Sequence, residues 1–224
     1  MTVMKFSRPA SLVRFVPRAC ALVTLALSVS LAVAGAQREE NLSDSVQSAL
    51  HKAVADTPIA RTYFESESHE RVWLAEMSNR LRKKFTDENQ RLDFLRTAHY
   101  EAMRAGLDPD MVLGLIQVES NFRKYALSTA GARGFMQVMP FWVKQIGSKD
   151  HNLFNLRTNL RYGCIILRHY LDIERGDYFR ALGRYNGSLG QVEYPTLVVN
   201  AWRNKWSIKV RRAESDNVSR KRSS

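Results

Sequence analysis

Between Asn41 and Asp56 the apolar residues Leu42, Val46, Ala49, Leu50, Ala53 and Val54 recur at three- and four-residue spacing, which lines up one face of a helix. The pattern predicts an amphipathic helix, read as an appendage, that is broken at Ala55-Asp56-Thr57-Pro58. Val72, Trp73, Ala75, Met77, Leu81 and Phe85 mark a second helix, with a charged face at Arg80, Arg82, Lys83 and Lys84. Thr86-Asp87 followed by Gln90 has the spacing of a capping box, and a stripe from Leu92 to Met103 ends at Gly106. Asp108 then caps, and Pro109 opens, an almost wholly apolar segment from Asp110 to Ser120, which predicts a buried helix. Glycines 131 and 134 predict tight turns or a short hairpin between Ser128 and Pro140. Further helices are predicted from Pro140 through Ile146, Thr158 to Glu174, Asp177 to Tyr185 and Pro195 to Trp206.

The two ends of the chain read differently from its middle. Residues 1 to 18 are basic without an acid, residues 20 to 33 are apolar, and Ala34-Gly35-Ala36 supplies a small-x-small cleavage pattern before Gln37. This predicts an export signal over residues 1–36, with an uncleaved membrane anchor as the rival reading. The net charge is +12, and four of those positive charges, Lys5, Arg8, Arg14 and Arg18, lie in that segment, leaving +8 without it. Such a surface favours a polyanion, and nucleic acid, anionic lipid and cell-wall polymer all qualify on charge alone. No helix carries both a basic face and a nucleic-acid reading motif, so nucleic acid ranks last. Residues 207–224 form a basic, Ser-rich tail. Cys20 falls within the predicted signal and Cys164 then stands alone, so no intrachain disulfide is expected. Five scattered His residues and no paired Cys give a metal site no support.

The chemistry concentrates at one acid. Glu119 is the only carboxylate between Met111 and Lys149, and it ends the apolar helix just ahead of a glycine-rich turn. Desolvation there raises a carboxyl pKa in the direction a general acid needs. Glycoside cleavage ordinarily uses two carboxylates. One suffices where the substrate supplies its own nucleophile, with a 2-acetamido group attacking the anomeric carbon and a sugar hydroxyl completing the reaction. A single Glu then serves as acid and afterwards as base.

Glu119-Ser120, then Gly134-Phe135-Met136-Gln137 with Met139-Pro140, then Arg184-Tyr185-Asn186-Gly187-Ser188, resemble in that order the three signature motifs of the lytic transglycosylase SLT domain, the goose-type-lysozyme-like branch of murein-cleaving enzymes. The resemblance covers roughly residues 95 to 206. It implies a lysozyme-like helical fold; together with the elements read above, the expected fold is mainly α, a lysozyme-like helical domain with a short β-hairpin or turn region, preceded by N-terminal helices. It also implies peptidoglycan glycan strands as the partner, a periplasmic or wall location and no cofactor. Carried over by position, it makes Glu119 the catalytic acid and base. Ser120 becomes a positioning hydroxyl, Met136 and Gln137 line the sugar cleft, and Tyr185 and Asn186 approach the glutamate and the acetamido group. Phe135 stands where the family usually has Leu, Arg184 where it has Ala, and Gly187-Ser188 where Gly is the commoner ending.

The expected organisation is a signal over 1–36, a helical extension over 37–86, the lysozyme-like domain over 87–206 and the tail over 207–224. Two other functions stay open at this level: a lysozyme-type hydrolase of the same bond, and a non-catalytic cell-wall-binding module of a secretion or pilus assembly; association with a membrane or wall-spanning assembly stays open as a partner. Judged singly, Met136 and Tyr185 read more readily as core than as cleft, and Ser120 reads equally well as a helix-terminal hydroxyl. Nothing in the sequence sets an oligomeric state.

Overall fold

A computed structural model describes residues 37–55, 64 and 66–208. The predicted export signal, and the tail beyond Ile208, lie outside the described residues. Among the described residues eight α-helices follow one another: α1 Asp44–Val54, α2 Glu67–Leu81, α3 Glu88–Arg104, α4 Pro109–Ser120, α5 Phe141–Ile146, α6 Leu156–Ile173, α7 Tyr178–Asn186 and α8 Glu193–Ala201. A five-residue π-turn, Trp202–Trp206, continues α8. Among the described residues there is no helix long and apolar enough to cross a membrane.

Helix α4 is the axis of the packing. Asp108 caps it by accepting from the Asp110 and Met111 amides at 2.7 and 3.4 Å, and Pro109 takes the first turn, where no amide hydrogen is needed. Met111, Val112, Leu113, Leu115 and Ile116 are all fully buried. A helix apolar on every side must be covered on every side. Helices α3 and α8 and the π-turn cover it, and α6 and α7 complete the body. The α3–α6 seam holds a buried ion pair, Arg161 Nη2 to Glu101 Oε1 at 2.9 Å, with Arg104 a further 3.5 Å from Glu101. A charge this deep is tolerated because it is paired.

Helix α1 was expected to be an appendage. Instead it packs on α5 and α6, and Leu50 and Val54 join the same core as α2's Trp73, Met77 and Leu81. Its side chains also serve α5. Gln47 Nε2 donates to the Gln145 carbonyl at 2.6 Å, and His51 Nδ1 meets the Ile146 carbonyl at 3.1 Å. Those carbonyls end a helix of six residues, too short to hold itself, and have no partner within it.

Other boundaries differ from the periodicity for local reasons. α2 starts earlier than predicted because Ser66 Oγ accepts from the His69 amide at 3.1 Å. It stops at Leu81, and Phe85 leaves the helix to stack on Phe94, with ring centroids 4.9 Å apart. The hairpin predicted after Ser128 reduces to two isolated antiparallel bridges, Leu127 to Arg133 and Arg133 to Val138. α8 begins at Glu193, ahead of Pro195, and its last predicted turn is the π-turn.

Candidate active site

Glu119 sits in the last turn of α4, and the chain leaves the helix sharply behind it. Asn121 and Phe122 both adopt left-handed backbone, φ 51° and 65°. The Asn121 amide donates to the Gln117 carbonyl at 3.0 Å, and Arg123 Nε donates to the Ser120 carbonyl at 3.0 Å. Glu119 is thereby held at the negative end of the helix dipole, which disfavours a carboxylate. It keeps partial solvent exposure, yet protein surrounds it densely enough that burial pushes its pKa from 4.5 up to about 8. A hydrogen bond from Tyr194 pulls partly back, and no charged neighbour is among the causes.

That hydrogen bond comes from the Tyr194 hydroxyl in α8 to Glu119 Oε1. The sequence explains how α8 gets so close. A Cβ on Gly114 would lie 2.8 Å from the Trp202 backbone nitrogen, so only glycine at 114 lets the two helices touch backbone to backbone. Gly114 faces Trp202 while Glu119 faces Tyr194, which makes the helices antiparallel. Burial and the nearby Glu119 carboxyl push the Tyr194 hydroxyl well above its usual range, so it stays a donor.

The glycine-rich turn is fixed by close packing of its own. Gly134 has φ +76°, and a Cβ there would fall 2.4 Å from Asn159 Nδ2 and 2.6 Å from the Leu153 carbonyl. Asn159, fully buried on α6, pins this turn: its Oδ1 accepts from the Met136 amide at 2.8 Å and its Nδ2 donates to the Arg133 and Leu153 carbonyls, both at 2.8 Å. Gln137, itself left-handed at φ 49°, turns its Nε2 inward to the carbonyls of Gly134 (2.9 Å) and Ala126 (3.2 Å).

Met136 is fully buried, its sulfur packed where Gly163 leaves room: a Cβ at 163 would lie 2.4 Å from it. Its carbonyl accepts from the Tyr185 hydroxyl at 2.7 Å. Met139, three residues on, is the motif methionine left part-exposed. Tyr185 is buried, and its hydroxyl is pushed well up by burial and then by the charge of Glu119. Asn186 is buried beside it. Its Nδ2 donates to Ser188 Oγ at 3.0 Å, while its Oδ1 has no protein partner. Ser120 is buried, and its hydroxyl donates back to the Ile116 carbonyl at 3.3 Å, the bond of a helix-terminal hydroxyl.

Glu119 is thus hydrogen-bonded to Tyr194 and Tyr185 to the Met136 carbonyl, and the Glu119 charge acts on both tyrosines. Tyr194 was not singled out from the sequence. Its spacing from Val198 and Ala201 reads simply as the core face of a helix. Phe135 fills an aromatic cluster with Phe94, centroids 5.0 Å apart, and Arg184 pairs with Glu174.

Other groups have structural duties. The Cys164 thiol is buried and pushed well up, which leaves it unreactive. His99 is stacked on Phe64 at 3.6 Å, and burial lowers it to about 4. Trp206 Nε1 donates to Gln117 Oε1 at 2.9 Å, behind α4. A groove of about 1210 Å³ between α2 and the π-turn is lined by Gln117 and Asn121 and does not include Glu119. No cluster of metal-ligating side chains occurs among the described residues.

Comparison with known proteins bears on this arrangement. Residues 96–201 match the family described as Transglycosylase SLT domain. A transglycosylase of Enterobacteria phage PRD1 is 33% identical over 103 residues, which cover 46% of this chain and 38% of the phage protein. Membrane-bound lytic murein transglycosylase C of Haemophilus influenzae is 32% identical over 107 residues, 41% of this chain and 30% of the relative. The protein of that name from Actinobacillus pleuropneumoniae is 51% identical over 90 residues, 36% of this chain and 24% of the relative. The chain thus spans about a third of the length of the curated relatives it matches. No solved structure matches it. Glu119, the glycine-rich turn, Tyr185 and Tyr194 all fall inside residues 96–201, the part of this chain that matches the transglycosylase SLT domain family.

Proposed function

We propose that this protein is an exported lytic transglycosylase that cleaves the β-1,4 bond between N-acetylmuramic acid and N-acetylglucosamine in peptidoglycan. The observation that carries this reading is Glu119: a lone carboxyl, raised to about 8 by burial, hydrogen-bonded to a tyrosine and with no carboxylate partner among the causes of its shift. Such a group holds its proton at neutral pH and can give it to a leaving oxygen.

Tyr194 donates to Oε1, so the proton of the neutral acid resides on Oε2, the oxygen that meets the glycosidic bond. Glu119 protonates the bridging oxygen as the bond breaks, and the substrate's own acetamido group stabilises the cation. The resulting carboxylate, still held by Tyr194, then takes the proton of the muramyl 6-hydroxyl as that oxygen closes a 1,6-anhydro ring. The proton balance returns Glu119 to its starting form without a second acid.

Tyr185 and Asn186 border the reacting sugar in this reading. Gln137 and Met136 shape the turn that lines the cleft, and Ser120 secures the end of α4. The predicted signal over residues 1–36 takes the protein to the periplasm, in keeping with relatives named as membrane-bound.

Digestion of peptidoglycan in heavy-oxygen water tests the reaction class. Ring closure within the sugar incorporates none of the label, whereas a hydrolase places one labelled oxygen on each new reducing end. Label in the products overturns the transglycosylase reading, and the absence of any product from a folded protein turns the case to wall binding.

A further inference from the structure

Gln37 lies well upstream of the matched domain, yet its side chain is 4% exposed and reaches into the turn that borders Glu119's neighbours. Its Nε2 donates to the Gln137 carbonyl at 3.4 Å, and its Oε1 accepts from the Met139 amide at 3.2 Å. We propose that Gln37 is a positioning residue for the active-site turn, its amide clamping the backbone on both sides of Val138; this rests on the function proposed above.

The chemistry of the clamp is specific. One backbone group needs a donor and the other an acceptor, and a primary amide supplies both from one plane. Gln137 is a non-glycine residue in left-handed backbone, a conformation that persists only when its surroundings hold it. Its own amide ties down one side of the turn through Gly134 and Ala126, and Gln37 ties down the other. One residue before the clamped segment, the Met136 carbonyl accepts from the Tyr185 hydroxyl, on which the charge of Glu119 bears. A line of polar contacts thus runs from Gln37 through the turn and Tyr185 to the surroundings of Glu119.

The rest of the N-terminal segment keeps Gln37 in place. The Glu40 carbonyl accepts from Gln145 Nε2 at 3.1 Å, Glu40's carboxylate lies 3.8 Å from Arg184, and Gln47 and His51 hold the end of α5. The strap spans two elements that flank the site, α5 and α7. It makes residues 37–54 part of the catalytic apparatus.

The test compares the full chain with Gln37→Met, which keeps length and shape but cannot hydrogen-bond, and Gln37→Glu. The Met139 amide is read by hydrogen exchange, and muropeptide release is read across pH as a ratio to wild type. The clamp predicts Met139 exchange at least about ten-fold faster in Gln37→Met, and turnover about ten-fold lower at little cost in melting temperature. Gln37→Glu regains turnover relative to wild type as pH falls, because a protonated carboxyl again both donates and accepts, whereas the Gln37→Met ratio stays flat. Unchanged Met139 exchange in Gln37→Met overturns the clamp whether or not wild type releases product. An active wild type with equally active variants overturns the positioning role while leaving the enzyme reading intact. A wild type without product sinks that reading alone, and Met139 exchange still judges the clamp.

Discussion

The Tyr194 hydroxyl in α8 donates to Oε1 of Glu119 in α4, across a helix contact that exists because residue 114 is glycine. Burial and this hydrogen bond oppose one another. Burial favours the neutral acid, and the tyrosine favours the carboxylate that follows proton transfer. A group that must be acid and then base benefits from both.

Tyr194→Phe removes the opposing influence, so the Glu119 pKa rises above about 8. The alkaline limb of the pH–rate profile should move to higher pH while turnover falls by about ten-fold or more, because the carboxylate intermediate loses its donor. A limb that stays in place would show that Glu119 does not set it.

Glu119→Gln should abolish turnover and stabilise the fold at neutral and alkaline pH. The unfolded carboxyl ionises near 4.5 and the folded one near 8. Between those values the folded state keeps a proton that the unfolded state has lost, so wild-type stability falls as pH rises through the window. The variant is free of that loss. Its advantage in denaturant unfolding should be small near pH 4 and reach on the order of 4 kcal/mol by pH 8.

Gly134→Ala should cost about 2–4 kcal/mol, since its new methyl meets Asn159 and the Leu153 carbonyl as well as a left-handed backbone. Gly131→Ala meets only the backbone penalty, with no atom within 4 Å, and should cost about 1 kcal/mol. Urea midpoints of the two variants read the difference.

Asn159→Asp replaces a buried donor to two carbonyls with an acceptor. The variant should lose about 3 kcal/mol and, by loosening the turn, lose turnover as well. Thermal unfolding and muropeptide release on the same preparation check both.

Much of this was legible from residues. The Asp108-Pro109 start of α4 and the unbroken apolar run after it placed Glu119 at the end of a buried helix, because capping and burial are local signals. Gly134 announced a special backbone. Met136, by contrast, reads the same whether a methionine faces core or cleft. It is the backbone path fixed by Asn159, distant in sequence, that buries Met136 and leaves Met139 part-exposed. Tyr194 and Gln37 were invisible for the same reason: each meets its partner only through the fold, far from it in sequence. The π-turn that ends α8 answers to contacts as well, Trp206 with Gln117 and Trp202 with Gly114, and helical periodicity carries no trace of it.

The central claim is that Glu119 alone supplies acid and base for an intramolecular ring closure. Digestion of purified peptidoglycan by the wild-type protein and by Glu119→Gln, with mass spectrometry of the released muropeptides, tests it most directly. The prediction is anhydro-ended muropeptides from wild type and none from the variant. Anhydro products persisting in Glu119→Gln, or wild-type products heavier by one water, would contradict it.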